Sequence, residues 1–156
     1  MSPATPGAGI GLWILSGRAL HNRLVSSISD ANGVALTASP HGYAETVARL
    51  RSEIERRRLT LFTAIDQRME AERAGLQLRP TTLLIFGSPA AGTKVMDVSP
   101  EAAIDLPLKI LIWRDETERV RIAVNDALYL QRRHGLADDL LPVLGAAQSV
   151  VDAALA

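Results

Sequence analysis

Polar residues and glycines gather where apolar runs of this sequence give way to turns. Asp66 and Gln67 follow one such run, and Gly87 and Ser88 follow the next. Side chains at strand ends are held on a rigid scaffold and are accessible to small molecules, so these positions favour ligand binding. The predicted ligand site has eight members: Asp66, Gln67, Gly87, Ser88, Gly92, Thr93, Asp105 and Lys109.

Asp105 and Lys109 flank a Leu-Pro-Leu segment at the start of a predicted strand. An ion pair between them would account for both residues without a ligand, and the glycines would then only turn the chain. A catalytic alternative uses Asp66 or Asp105 as an acid or base, with Lys109 tuning its charge. That alternative requires all three side chains to face one cavity.

The segment from Gly87 to Lys94 (GSPAAGTK) differs in one respect from the phosphate-binding loop G-x-x-x-x-G-K-[ST]. Its threonine and lysine are transposed, so each functional group is displaced from the phosphate or Mg²⁺ that it meets in that loop. Pro100 also follows too soon for a long helix to direct its N-terminus at a phosphate. We therefore do not expect NTP hydrolysis.

Thiol and metal chemistry are not indicated by the sequence. The chain contains no cysteine, which excludes disulfides, thiolate nucleophiles and cysteine-ligated metals. His21, His41 and His134 lie far apart, and none has a histidine partner at helical spacing, so they are a poor zinc signal. The sequence therefore predicts no bound metal, no cofactor and no catalytic cysteine or histidine.

The charge balance limits the classes of partner. Seventeen Lys and Arg residues balance seventeen Asp and Glu residues, so no overall field attracts nucleic acid or an anionic membrane. The apolar run 10–15 is too short to cross a bilayer and lacks the preceding basic residue of a signal peptide. We expect a cytoplasmic protein with a small-molecule ligand and a second copy of the chain as partners.

The elements that must position the candidate site follow from apolar spacing. Tyr43, Val47, Leu50 and Ile54 recur at steps of four, three and four, which predicts a helix over 42–58. The remaining predicted elements are strands at 34–38, 59–65, 81–86, 106–113 and 120–124, helices at 10–28, 66–75, 125–134 and 140–155, and a loop at 87–93.

The last two predicted strands are joined by a short charged turn, which is too short for a parallel crossover. The sequence therefore predicts a single α+β domain with a mixed, largely antiparallel sheet and helices packed on one face. Residues 1–33 are predicted to be an N-terminal extension, 34–136 the core domain and 137–156 a C-terminal helix.

Short motifs in the same order resemble a bacterial family known as domain of unknown function 302. The resemblance covers about residues 34–136 and implies a compact α+β domain, often dimeric, with no settled catalytic role. The matching pieces are Glu45-Thr46-Val47 with Arg49-Leu50, Ala64-Ile65-Asp66, Ile85-Phe86-Gly87 with Pro89, Gly92-Thr93 with Met96, Ile104 to Lys109, and Arg133 to Leu136.

The chain departs from the family pattern at four positions. Gln67 stands where the family usually has histidine, and Ser88 stands where it usually has asparagine. Lys94 replaces a proline, and Val124 replaces a tyrosine common in the last strand. If the family's histidine moves a proton or binds a ligand, Gln67 cannot replace it, because an amide does not titrate near neutral pH.

Three functional hypotheses remain from the sequence. The favoured one is a non-catalytic module that binds a small ligand or partner and acts as a homodimer. The second is the enzyme that uses Asp66 or Asp105. The third is a structural assembly subunit whose interface is an edge strand or the C-terminal helix. That helix has an apolar stripe, which packing within the chain would explain equally well, formed by Leu140, Leu141, Leu144, Val151 and Leu155.

Overall fold

The computed structural model describes residues 28–156, and its centre is one antiparallel sheet. Its six strands lie in the order β1-β2-β6-β5-β4-β3, and all five neighbouring pairs are antiparallel. The strands are β1 (Ile28–Ser29), β2 (Val34–Ala38), β3 (Thr60–Asp66), β4 (Thr81–Gly87), β5 (Leu108–Arg114) and β6 (Val120–Asn125). The α+β class is confirmed, and no described pair is parallel, although the predicted sheet was mixed.

Within the described residues, six α-helices accompany the sheet, together with 3₁₀ turns at Pro100–Ile104 and Asp138–Leu140. The helix predicted over 10–28 lies outside the described residues, apart from Ile28, which begins β1. The helices are α1 (Tyr43–Arg56), α2 (Gln67–Arg73), α3 (Pro89–Val98), α4 (Ala127–His134), α5 (Leu141–Leu144) and α6 (Ala146–Leu155).

The main core lies between one face of the sheet and helices α1 and α6. In β4, Leu84 and Phe86 are fully buried while Leu83 and Ile85 are only half-buried, which is the two-residue period of a strand covered on one side. Leu50 of α1 and Val150 of α6 are fully buried in the same cluster. This packing fixes the strand ends that border the candidate site.

Apolar side chains of the C-terminal segment are buried in the two hydrophobic clusters of the domain. Val151 and Leu155 belong to the main core, and Leu140 and Leu144 belong to a second buried cluster. These side chains are therefore not a free interface, which corrects the hypothesis that this helix forms the assembly surface. The predicted single helix is also divided at Gly145, where an added Cβ would lie 3.3 Å from the Leu141 carbonyl oxygen.

The segment predicted as a loop at 87–93 instead begins helix α3. The Ser88 side chain accepts a hydrogen bond from the Ala91 amide at 3.3 Å, and Pro89 occupies the first helical position. Serine at the N-cap followed by proline is a favourable helix start, because the cap satisfies a free amide and proline already has helical φ. The helix then ends before Pro100.

Candidate functional site

An apolar cavity of about 480 Å³ lies beside the start of α3. The C-terminal end of β4, the start of β5 and the segment from α5 to α6 form its other walls. Fifteen residues of the described part of the chain line the cavity, and none of these fifteen is charged. Four of the predicted site residues are among them: Gly87, Ser88, Gly92 and Thr93.

The two hydroxyl groups in the wall are already used within α3. Ser88 caps the helix through the Ala91 amide, and the Thr93 hydroxyl donates to the Pro89 carbonyl oxygen at 2.8 Å. Both hydroxyls are therefore engaged in hydrogen bonds within α3, and the surface presented to the cavity is mainly hydrocarbon. Binding of an apolar molecule to a wall of this kind is favourable, because it removes hydrocarbon surface from contact with water.

The glycines in the wall leave space that larger side chains would fill. An added Cβ at Gly87 would lie 3.9 Å from the Pro107 Cβ, and one at Gly92 would lie 4.0 Å from the Met96 Cε. These are ordinary contact distances, so the backbone does not require glycine at either position. The absence of side chains here contributes to the volume of the cavity.

Phe62 contributes to the cavity through an irregularity in β3. The pairing of β3 with β4 shifts between Leu61 and Thr63, so one additional residue is inserted at this point. Such β-bulges redirect a side chain relative to a regular strand. The Phe62 side chain lines the cavity and remains 49% exposed. Sequence analysis missed this residue, because a bulge is a property of the pairing and leaves no clear pattern in one strand.

Other wall residues missed by sequence analysis come from distant segments. Met96 follows Gly92 by one turn of α3. If the sequence had predicted a helix here, Met96 would have been placed on the same face as Gly92. Leu106, Pro142 and Val143 come from later parts of the chain and reach the cavity only through tertiary packing.

Asp66 and Gln67 do not share this site. Strands β3 and β4 are antiparallel, with Thr60 opposite Gly87 and Asp66 opposite Thr82. Asp66 therefore lies at the other end of β4, about 17 Å along the strand from Gly87 at the usual rise per residue. Its carboxylate accepts a hydrogen bond from the Met69 amide at 3.0 Å and caps α2, and Gln67 is the first residue of that helix. The predicted site is thus divided.

Asp105 and Lys109 are close together, but their side chains do not form the ion pair that was the alternative to a ligand site. The Lys109 ammonium donates to the backbone carbonyl oxygens of Asp105 at 3.3 Å and Pro107 at 3.0 Å. The Asp105 carboxylate instead hydrogen-bonds His134 Nε2 at 2.6 Å and lies 3.5 Å from Arg133 Nη1. Neither side chain lines the cavity.

These polar contacts hold the wall segment between Asp105 and β5. Leu106 and Pro107 line the cavity, and Leu106 packs against both buried clusters. The His134 side chain is only 6% exposed, so its bond to Asp105 ties the end of α4 to that wall. Sequence analysis set His134 aside, because its partner lies 29 residues away and no local spacing connects them.

The acid–base constellation is not assembled. Asp66 lies at the opposite end of β4 from Asp105 and Lys109, so the three side chains cannot act on one substrate. Among residues 28–156, no group of three or more histidines and carboxylates is placed to hold a metal ion. Within the same residues, no helix is long and apolar enough to cross a membrane.

An antiparallel α+β domain with one apolar cavity at its strand ends is the class of protein that these observations define. The family model for "Domain of unknown function DUF302" matches residues 36–154. The chain belongs to this family, which confirms the resemblance found in the sequence and extends it through α6.

The fold also matches a solved structure of that family. The crystal structure of an uncharacterized conserved protein DUF302 from Bacillus stearothermophilus superposes with a TM-score of 0.66. The match covers 80% of this chain and 97% of that chain at 16% sequence identity. At this identity the similarity shows the fold alone.

Relatives of higher identity carry the name of a membrane protein. The chain is 37% identical over 118 residues to proteins named fluoride-specific ion channel FluC 1 from Brucella suis and Brucella abortus. The matched part is 74% of this chain but 46% and 43% of the two relatives. The chain therefore spans less than half of their length.

Proposed function

We propose that this domain is a non-catalytic binding module whose cavity holds an uncharged, largely apolar small molecule. The observation that carries the proposal is a cavity of about 480 Å³ without a charged residue in its wall. Its volume falls within the range of about 300–1,000 Å³ that is usual for small-molecule sites. The wall hydroxyls of Ser88 and Thr93 are engaged within α3, so no free nucleophile supports catalysis there.

Anionic ligands fit this cavity poorly. Lys94 is exposed on α3 and does not line the wall, and none of the described wall residues is a cation that could neutralise a phosphate. Pro89 also removes one of the backbone amides that a helix start would otherwise offer to an anion. The segment from Gly87 to Lys94, which resembles a phosphate-binding loop in sequence, therefore forms the capped start of a helix beside an apolar cavity.

Filling the cavity from Gly92 tests the proposal. Neutral apolar probes (geraniol, 1-decanol and naphthalene) should stabilise the wild-type protein by about 2.7 kcal/mol at 100 times their Kd. Thermal-shift experiments measure this stabilisation. Gly92→Leu should abolish the stabilisation, because its side chain occupies the space beside Met96. Gly92→Ala is the matched control and should retain binding while stabilising α3 by about 0.5–1 kcal/mol.

Two outcomes would contradict the proposed ligand class. One is stabilisation of the wild type by inorganic phosphate or ATP but by none of the neutral probes. The other is an unchanged probe response in Gly92→Leu, which would place binding outside the cavity. Circular dichroism of each variant checks that the fold is retained.

We further propose that the module acts in the cytoplasm as a homodimer. The balanced charge and the absence of cysteine support a cytoplasmic location, since neither suggests an extracellular or membrane-surface role. The family resemblance supports the dimer.

A second candidate function is supported by the relatives. We propose, as this second candidate, that the domain acts as a partner of a fluoride-specific ion channel, since it is 37% identical over 118 residues to proteins of that name.

Fluoride tolerance tests this second candidate. Deleting the gene for this chain should lower the fluoride concentration that stops growth, and re-expression of the wild-type chain should restore it. Chloride at the same concentrations is the control. Equal fluoride sensitivity with and without the gene would contradict the candidate.

A further inference from the structure

Strand β3 forms an unusually exposed edge of the sheet. Among the described strands it pairs only with β4, and five of its seven residues are exposed. The strand contains neither lysine nor proline, the residues that commonly prevent an edge from pairing with another chain. Its free backbone donors and acceptors are therefore available for an additional strand.

The stretch of chain from β3 to the residues before β4 carries exposed apolar side chains, alongside the charged residues of α2. Residues 28–156 include seven large hydrophobic side chains that are exposed, and four of them lie between positions 62 and 78. Helix α2 follows β3 directly and buries none of its own residues. A concentration of exposed apolar side chains beside a free edge indicates an interaction surface. The four side chains are Phe62, Met69, Leu76 and Leu78.

We propose that β3 pairs antiparallel with β3 of a second copy, with the two-fold axis at Ala64. This inference deepens the proposed function, because it rests on the homodimer and names the surface that forms it. A two-fold antiparallel pair requires residues opposite each other to lie on the same face of the sheet. After the bulge, residues 63–66 pair with β4 in regular register and can satisfy that requirement.

The choice of Ala64 as the centre follows from the bulge. A centre at Ala64 places Thr63 opposite Ile65 of the second copy, and both belong to the face away from α1 and α6. These are β-branched residues, which form favourable cross-strand pairs. A centre at Thr63 would instead place Leu61 opposite Ile65, and the bulge has put those two on different faces.

The charges of the strand are compatible with self-pairing. In the register centred at Ala64, Asp66 meets Phe62 of the second copy, and no two like charges lie opposite each other. Phe62 also lines the cavity and is 49% exposed in the single chain. Pairing of the two edges therefore covers an open side of the cavity, which links dimer formation to ligand retention.

Charge complementation at Ala64 tests the dimer. The Ala64 side chain is exposed, so a longer side chain is accommodated in the single chain. Ala64→Lys and Ala64→Glu should each weaken self-association by about 100-fold, because two like charges would face each other at the axis. Mixing the two variants in equal amounts should restore a heterodimer. Light scattering and native mass spectrometry measure the populations.

Val98→Lys provides the matched control, since Val98 is an exposed apolar residue of α3 away from the edge. This variant should remain dimeric. A monomeric wild type, a dimeric Ala64→Lys variant or a mixture that stays monomeric would each overturn the proposed edge.

The ligand assay separates this inference from the proposed function. If the wild type dimerises through Ala64 but binds no neutral probe, the cavity proposal fails alone. If neutral probes bind and respond to Gly92→Leu while the Ala64 variants stay dimeric, the proposed edge fails alone. If both are correct, the monomeric variants should bind the same probe at least about 10-fold more weakly, because the open side near Phe62 is uncovered.

Discussion

Replacing Asp105 with alanine should lower the free energy of unfolding by about 2–4 kcal/mol, measured by urea denaturation. The loss is large because the carboxylate is nearly buried and is the hydrogen-bond partner of His134, whose side chain is 6% exposed. Without Asp105 that imidazole keeps its desolvation cost and loses its partner. Arg133 loses its nearby carboxylate as well.

Asp97→Ala is the control for this experiment. Asp97 is an exposed carboxylate on α3, and its removal should change stability by less than about 0.5 kcal/mol. A double-mutant cycle with His134→Ala should then show a coupling of at least about 1 kcal/mol between Asp105 and His134. Additive losses would mean that the hydrogen bond does not connect α4 with the cavity wall energetically.

Replacing Glu53 with glutamine should remove a pH-dependent part of the stability. Glu53 is buried near the end of α1, and hydrogen bonds from Arg56 and Arg57 lower its pKa to about 2. The Arg57 guanidinium also donates to the Ser149 hydroxyl at 2.8 Å and the Ser149 carbonyl oxygen at 3.0 Å. The cluster therefore joins α1 to α6 across the core.

The direction of the pH effect follows from the lowered pKa. The ionised carboxylate is favoured in the folded state, so its stabilisation is complete above the ordinary pKa of 4.5 and is lost as pH falls toward about 2. Because Arg56 is 68% exposed and screened by water, we expect about 1–2 kcal/mol rather than the full value of the shift. Arg57 is 28% exposed, so its interaction with Glu53 is less screened by water.

Unfolding experiments between pH 7 and pH 3 measure this contribution. The wild type should lose more stability than Glu53→Gln over that interval, and the two proteins should converge at low pH. Glu45→Gln is the control, because Glu45 makes an exposed pair with Arg49 and should show little difference. A difference between wild type and Glu53→Gln that stays constant with pH would contradict an ionised Glu53 cluster.

Local sequence patterns predicted most of the elements. The spacing of Tyr43, Leu50 and Ile54 marked α1, and alternation of buried and half-buried positions in the strands fits their apolar composition. Helix α3 was missed, because two glycines and a proline in GSPAAG resemble a loop. The serine cap and the proline at the first helical position were the signals that favoured the helix.

The candidate site was only partly predictable, because its composition depends on strand pairing. The ends of the strands were recognised, but a single sequence does not reveal that β3 and β4 pair antiparallel. Antiparallel pairing puts Asp66 and Ser88 at opposite ends of the two strands. The same pairing creates the bulge that carries Phe62 into the cavity wall. The bond between Asp105 and His134 likewise depends on packing between residues far apart in the chain.

The central claim is that an uncharged apolar molecule binds in the cavity beside α3. The most direct measurement is an NMR titration of the ¹⁵N-labelled full chain with geraniol, followed through the backbone amides. The account predicts saturable shifts concentrated at Phe62, at residues 87–96 and at Leu106, and their loss in Gly92→Leu. Saturable shifts confined to another surface, or none at the solubility limit of any neutral probe, would contradict it.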